Sequence, residues 1–145
     1  MNTLLQDPLI DFVQEYHKHW ANKSQSELAT YLRWHQARDL LATSFVGDEP
    51  FALCAVRFFG RLEDWLIPWV FEPDGAFGMV DLLVSVSPLA QADCFQQLVK
   101  RWGARPVMIW ERGDRTIEST KAPRMFRWDQ FVKLTRRMTY GAIGD

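Results

Sequence analysis

Four apolar stretches rich in β-branched and aromatic residues follow one another, and the connections between them are too short to hold a helix. The stretches are Leu40 to Val46, Phe51 to Phe59, Asp64 to Phe71 and Phe77 to Val86. Turn sequences such as Gly47-Asp48-Glu49-Pro50 separate them. Consecutive strands joined by short turns pair antiparallel. The sequence therefore predicts a four-stranded antiparallel meander, with Pro68 marking a bulge or an edge in the third strand.

Two helices are predicted before the meander. Residues 8–21 repeat apolar side chains at helical spacing after a cap at Asp7. Ser24 and Glu27 have the spacing of a capping box, which begins a second helix that runs to about Gln36. The N-terminal part of the chain is therefore expected to pack as two helices on the sheet.

A helix, a fifth strand and a last helix are predicted after the meander. Ser87 caps the first of these helices and Gly103 ends it. The fifth strand covers Pro106 to Trp110, and a strand–helix–strand connection predicts a right-handed parallel crossover. A loop over Thr116 to Pro123 and an amphipathic helix over Trp128 to Met138 follow.

Length and composition fit a single α+β domain over residues 1–145. Hydrophobic residues make up 48% of the chain, which is enough to form a core. Cys54 and Cys94 have neither CxxC nor Cys/His spacing, so buried thiols are expected, and three scattered histidines predict no metal site. The N-terminus has no signal-peptide pattern and the apolar runs are too short for a bilayer, so a cytoplasmic protein is expected.

Charge divides the chain into an acidic and a basic part. Residues 1–72 carry six basic and ten acidic side chains, whereas residues 73–145 carry eleven and eight. All eleven of those bases lie between Lys100 and Arg137. The net charge of −1 argues against a general nucleic-acid binder. The basic part is either a solvated face with local ion pairs or a docking surface for an acidic protein or an anionic ligand.

The order of the elements is similar to that of the N-acetyltransferase (GNAT) superfamily over most of the chain. In that family, the substrate site lies where the fourth and fifth strands separate. The resemblance implies a site around Asp81 to Pro88 and Met108 to Gly113. The glycine-rich phosphate loop of acetyl-CoA users is replaced by Ser87-Pro88-Leu89-Ala90-Gln91-Ala92, which has no glycine and lacks one N–H at Pro88.

One branch that lacks this loop, the toxin-activating lysine acyltransferases, takes fatty acyl groups from acyl carrier protein. Its histidine, in a His-x-x-Trp setting, is matched by His17-Lys18-His19-Trp20. Its catalytic aspartate is matched by Asp81 in element order, whereas the wording Trp-x-x-Asp-Trp is matched by Trp65 to Trp69, with Pro68 in the aspartate position. The resemblance implies acyl transfer to a protein lysine, with acyl carrier protein or acyl-CoA as the donor and no tightly bound cofactor.

Asp81 is the most informative single residue, because it interrupts the apolar run Phe77 to Val86. A buried carboxylate is costly unless it is paired or hydrogen-bonded. Strand alternation predicts that Asp81 shares a face with Met79 and Leu83. We expect either a base or orienting group that fixes the tautomer of His17, or an ion pair with an arginine from the C-terminal third.

The hypothesis assigns catalysis to His17, which activates the acceptor amine, and to Asp81. Four residues are assigned to substrate binding: Ser87, Arg112, Lys121 and Arg124. Arginines next to aromatic residues suit phosphate contacts and stacking, although local carboxylates could pair with the same side chains. His35, on the apolar side of the second helix, is expected at the edge of the core.

A non-enzymatic binding or assembly module, such as a mobile-element or virion accessory protein, is the alternative. The chain has seven Trp and ten Phe, and protein interfaces are enriched in aromatic residues and arginine. A homo-oligomer is compatible with this alternative. A deep cleft between the fourth and fifth strands favours an enzyme, whereas a flat apolar surface elsewhere favours a binding protein.

Overall fold

The computed structural model describes residues 7–103, 105–110 and 124–126, which form helices packed on one mixed sheet. In chain order the elements are α1 (Asp7–Tyr16), α2 (Lys18–Ala21), α3 (Gln25–Gln36), β1 (Leu41–Val46), β2 (Glu49–Phe59), a 3₁₀ helix (Leu62–Leu66), β3 (Phe77–Ser85), α4 (Pro88–Trp102), β4 (Val107–Trp110) and β5 (Arg124–Phe126). None of the described helices is long and apolar enough to cross a membrane. The loop predicted over Thr116 to Pro123 and the helix predicted over Trp128 to Met138 lie outside the described residues.

The sheet confirms the α+β class and the parallel crossover. Its strand order is β1-β2-β3-β4-β5. β1 with β2, and β2 with β3, are antiparallel; β3 and β4 are parallel and are joined through α4. β5 then pairs antiparallel with β4.

The third strand predicted for the meander, Asp64 to Phe71, is wrong. β2 pairs directly with β3, from Ala52↔Ser85 to Phe59↔Phe77, so residues 60–76 form a connection outside the sheet ladder. That connection contains the 3₁₀ helix, and Trp69 has a left-handed φ of 71°. Pro68 cannot donate to a ladder, and a left-handed residue beside it interrupts extended backbone. The antiparallel meander therefore has three strands.

The first predicted helix is split at His17, whereas the second is confirmed. The φ and ψ of His17 are −119° and 109°, so it is extended between α1 and α2. Its N–H still donates to the carbonyl oxygen of Val13 at 2.9 Å and ends α1. The Ser24 hydroxyl accepts from the Glu27 N–H at 3.0 Å, as the predicted cap requires.

Both faces of the sheet are covered, and each contributes a buried cluster. The α1/α3-side cluster contains Leu9, Ile10, Phe12, Val13, Leu28, Leu32, Leu41, Leu53, Ala55, Leu82 and Val84. The α4-side cluster contains Leu40, Ala42, Ala52, Cys54, Val56, Phe58, Val80, Ala90, Cys94, Phe95, Leu98 and Met108. The predicted burial of both cysteines is confirmed. A sheet covered on both sides explains why β2 and β3 are almost continuously apolar.

Asp81 is the extra residue of a β-bulge. Ala55 pairs with Leu82 and Val56 pairs with Val80, so Asp81 has no opposite residue of its own. The bulge shifts the side-chain alternation by one residue. Val80 lies in the α4-side cluster, whereas Leu82 lies in the α1/α3-side cluster. Regular alternation had predicted that Asp81 shares a face with Leu83, but Leu83 packs against the α4-side cluster.

The outer edge of β1 is covered by polar side chains of α4. The Gln97 amide donates to the carbonyl oxygen of Thr43 at 2.9 Å, and Arg101 donates to that of Leu41 at 2.7 Å. Unpaired edge carbonyls are a template for pairing with another strand. These two hydrogen bonds occupy acceptors that such a strand would need.

Candidate functional site

The Asp81 carboxylate is bound by two buried side chains from different elements. His35 Nε2, on α3, lies 2.7 Å from Asp81 Oδ2. Arg57 Nε, on β2, donates to Asp81 Oδ1 at 3.0 Å. The side chains of His35, Arg57 and Asp81 are 1%, 4% and 8% exposed. We call these three residues the His35–Asp81–Arg57 cluster.

The hydrogen bonds of His35 fix how many protons the cluster holds. His35 Nδ1 lies 2.8 Å from the carbonyl oxygen of Tyr31, which can only accept, so Nδ1 carries a hydrogen. Nε2 of His35 and the carboxylate of Asp81 are both acceptors when unprotonated. Their hydrogen bond therefore needs a second proton, which is bound either to Nε2 or to the carboxylate. The histidine and the carboxylate together are then neutral, and the guanidinium gives the cluster one net positive charge.

Arg57 also binds the connection between β2 and β3. One terminal nitrogen of its guanidinium donates to the carbonyl oxygen of Asp64 at 2.9 Å, and the other donates to that of Trp65. All three nitrogens of Arg57 are therefore hydrogen-bonded. A single buried side chain thus ties the 3₁₀ helix to the Asp81 carboxylate.

Aromatic rings cover the histidine of the cluster. The Tyr31 and Trp34 ring centroids lie 4.7 and 4.9 Å from that of His35. Trp69, from the connection between β2 and β3, lies 5.8 Å from Tyr31 and 5.5 Å from Trp34. Tyr31 and Trp34 therefore help to shield the imidazole from water, and Trp69 packs on both of them.

The cluster lies next to the described pairing between the parallel strands β3 and β4. The described pairs between β3 and β4 run from Phe77↔Val107 to Val80↔Trp110. Asp81 is the next residue of β3, which continues to Ser85 beyond the described end of β4. Asp81 is also the first residue of the segment Asp81 to Pro88, where a substrate site was predicted.

The residues predicted for substrate binding are only partly described. Arg112 and Lys121 lie outside the described residues. Arg124 is the first residue of β5 and pairs with Trp110, which in turn pairs with Val80. Arg124 therefore occupies the same cross-strand row as the residue before Asp81.

Ser87 caps α4 as predicted. Its hydroxyl accepts from the Ala90 N–H at 3.3 Å, and its own N–H donates to the Ser85 hydroxyl at 3.2 Å. Pro88 occupies the first turn and has no N–H. Two backbone N–H groups near this helix start are thus already hydrogen-bonded, and a third is missing at Pro88, which leaves fewer donors for a phosphate.

The two residues assigned to catalysis lie in different surroundings. His17 is partly buried at the junction of α1 and α2, and its ring centroid is 6.3 Å from that of His19. The carboxylate oxygens of Asp81 bind His35 and Arg57. His35, expected only at the edge of the core, is fully buried in the cluster.

Arg57 was not among the predicted site residues, although the sequence carries a signal for it. Arg57 interrupts the apolar stretch Phe51 to Phe59, as Asp81 interrupts Phe77 to Val86. Opposite charges that interrupt two neighbouring antiparallel strands are expected to pair across them. The expected arginine from the C-terminal third is therefore replaced, among the described residues, by one from β2.

Neither cysteine provides a nucleophile at neutral pH. Burial raises the pKa of Cys94 to about 12, and burial also raises the pKa of Cys54 well above its ordinary value. A thiol that stays protonated is a poor nucleophile. Among the described residues, no group of three His, Cys, Asp or Glu side chains is placed to hold a metal ion.

No protein-family model, no curated protein and no solved structure matches this chain.

Proposed function

We propose that the chain is a GNAT-like acyltransferase that moves an acyl group from a carrier thioester to an amine, most simply the side chain of a protein lysine. Three observations support the fold assignment: helices precede the sheet, an antiparallel meander follows, and α4 leads into a parallel strand. The meander is one strand shorter than the resemblance implies.

The observation that carries the proposal is the position and charge of the His35–Asp81–Arg57 cluster. Asp81 directly follows the last described pair between β3 and β4, and the cluster holds one net positive charge in a buried setting. Attack on a thioester places negative charge on the carbonyl oxygen. A fixed positive charge in a low-dielectric site stabilises such an oxyanion, because no solvent has to reorganise.

The proposed step balances as an ordinary acyl transfer. A base removes a proton from the ammonium group of the acceptor, and the free amine attacks the thioester carbon. The new C–N bond forms as the C–S bond breaks, and the proton that the amine loses goes to the leaving thiolate. We assign the base to His17, because both ring nitrogens of His35 are already engaged in hydrogen bonds, with Tyr31 and with Asp81.

Acyl carrier protein is favoured over coenzyme A as the donor. The N–H groups at the start of α4 bind Ser87 or are missing at Pro88, which leaves a poor cradle for a pyrophosphate. Acyl carrier protein is an acidic partner, so it needs a basic docking surface on this chain instead. Arg112, Lys121 and Arg124 belong to the basic part of the chain and are proposed to provide it.

Native mass spectrometry with acetyl-CoA and with acyl carrier protein tests donor binding, and the mass of a lysine-containing acceptor tests transfer. We expect a complex with the carrier and loss of transfer in His17→Gln. His19→Gln, two residues away, is the matched control and should remain active. Transfer that persists in His17→Gln contradicts the assignment of the base.

The second candidate is a non-enzymatic binding or assembly module. It is favoured by one observation: both carboxylate oxygens of Asp81 are bound by buried partners, as in a structural ion pair. If neither donor binds and the mass shows a stable oligomer, this candidate replaces the acyltransferase.

A further inference from the structure

Four large apolar side chains are exposed within eight residues of the connection between β2 and β3. Leu62, Leu66, Ile67 and Trp69 are 39%, 67%, 49% and 48% exposed. We call them the 62–69 patch. Single exposed apolar residues are common on protein surfaces, but a concentration of them marks a binding surface.

Acidic residues lie within the 62–69 patch and after it in the same connection. Residues 61–75 contain four acidic residues and one basic residue, Arg61. Glu63, Glu72 and Asp74 are exposed, and Arg61 forms a surface ion pair with Glu63 at 3.4 Å. The connection therefore exposes apolar and acidic side chains together, which complements a partner with apolar and basic side chains.

The connection that carries the patch is anchored to β2 at several points. Arg57 binds its carbonyl groups at Asp64 and Trp65. The Glu72 N–H donates to the carbonyl oxygen of Phe58 at 2.8 Å. Gly75 lies so close to the Phe59 backbone that an added Cβ would clash with it. An anchored surface loses little conformational entropy when it binds.

The patch is also joined to the candidate site. Arg57 reaches both the 3₁₀ helix and Asp81, and the Trp69 ring packs on Tyr31, which packs on His35. A segment bound at Trp69 is thus connected to His35 through the Tyr31 ring.

We propose that the 62–69 patch docks a lysine-bearing amphipathic segment of a partner protein, which is the acceptor of the transfer. The exposed acidic side chains of the connection select its basic residues, and the apolar residues of the patch bind its other face. The inference rests on the proposed function for the fate of the lysine, whereas docking itself requires no acyl donor.

The test uses two labelled peptides of about 18 residues, long enough to form a helix. They share one leucine face and carry either lysine or glutamate on the other. Fluorescence anisotropy with the full chain should show at least about tenfold tighter binding of the lysine peptide, weakened by salt. Leu66→Ser with Ile67→Ser should remove most of this affinity. A photo-reactive lysine peptide should cross-link within residues 62–69.

The matched control changes Val46 and Val86, which are 60% and 45% exposed and lie outside this connection. Val46→Ser with Val86→Ser should leave the affinity unchanged. Equal binding of both peptides, no binding, or patch variants with unchanged affinity would overturn the docking surface. If the chain self-associates and only the patch variants lose this self-association, a second copy of the chain occupies the patch and the proposed docking of a partner segment is overturned. A docked peptide whose lysines stay unmodified beside an acyl donor would contradict the proposed function and leave the docking surface supported.

Discussion

Asp81 depends on two partners, and each of them depends on Asp81. Removing Arg57 leaves the buried carboxylate with His35 alone, and removing Asp81 leaves a buried guanidinium without its counter-charge. Breaking one side of a buried ion pair costs more than the pair contributes, because the remaining charge stays desolvated. The cluster should therefore respond strongly to single substitutions.

Arg57→Met should lower the free energy of unfolding by about 3–5 kcal/mol, because it removes the charge partner while keeping an apolar side chain in the core. Urea denaturation followed by circular dichroism measures this. Arg61→Ala, which breaks the exposed pair with Glu63, is the control and should change stability by less than about 1 kcal/mol. Equal effects of the two substitutions would mean that the cluster is not a buried ion pair.

Cys94 predicts a loss of stability at alkaline pH. Burial raises its pKa to about 12 in the folded chain, whereas the unfolded thiol keeps its ordinary value of 9.0. Between these values the unfolded state binds fewer protons, so the free energy of unfolding falls as pH rises, by up to about 1.4 kcal/mol per pH unit. Below pH 9.0 both states are protonated and this contribution to stability is fully present.

Urea denaturation between about pH 8 and pH 10 checks this for the parent chain and for Cys94→Ala. The variant should lose part of the pH dependence, since one of the two buried thiols is gone. A pH dependence identical in both chains would contradict a buried protonated Cys94.

At the residue scale, the sequence predicted that Asp81 needs a partner but named the wrong arginine among the described residues. The apolar run around Asp81 is a local property and is visible in one stretch of sequence. The partner depends on which strands are neighbours, and it requires the register of β2 against β3. His35 could not be assigned from its helix alone, because the helix orientation over the sheet decides which group it meets.

At the scale of elements, α4 has two roles, since it covers one face of the sheet and also caps the edge of β1. Gln97 and Arg101 lie four residues apart, so both point to the same side of the helix. Their hydrogen bonds to Thr43 and Leu41 use side chains that would otherwise be solvated. This makes β1 a protected edge.

Gln97→Ala with Arg101→Ala should expose these edge carbonyls and promote association between chains through β1. Analytical ultracentrifugation should show more oligomer for this double variant than for the parent at equal concentration. Lys100→Ala, on the same helix and exposed, is the matched control. An unchanged distribution of oligomers in the double variant would show that the edge of β1 does not need to be covered by Gln97 and Arg101.

The strands next to tight turns were predicted well, and the element containing Pro68 was not. β1, β2, β3 and α4 have local signals: β-branched runs, turn residues and a serine cap. Residues 64–71 have the composition of a strand, but the ladder positions beside β2 are taken by β3. Competition for a partner strand is a tertiary property, so composition cannot decide it.

At the scale of the whole molecule, one sheet carries a buried cluster on each face, and both contain residues of β2 and β3. Because the same two strands support both clusters, damage to one face should weaken the other. Cooperative unfolding of a single unit is the expected behaviour of a domain of this size.

Leu53→Ala, on the α1/α3 side, and Phe95→Ala, on the α4 side, should each destabilise the chain by about 2–5 kcal/mol. Both side chains are fully buried. Tryptophan fluorescence and circular dichroism should report the same urea midpoint within each variant. Leu89→Ala, at a side chain that is 48% exposed, should have little effect. Midpoints that differ between the two probes would indicate that the faces unfold separately.

Because Asp81 is the extra residue of a bulge, the pairing of the sheet and the charged cluster depend on different residues. The hydrogen-bonding ladder between β2 and β3 does not need this residue, because its neighbours Val80 and Leu82 already pair with Val56 and Ala55. Deleting one codon would restore a regular ladder and leave each apolar neighbour on its present side. A chain without Asp81, with Arg57 and His35 replaced by apolar residues, would keep the architecture and lose the site. In evolution, the site can therefore be gained or lost without a change of fold, through one insertion or deletion together with two substitutions.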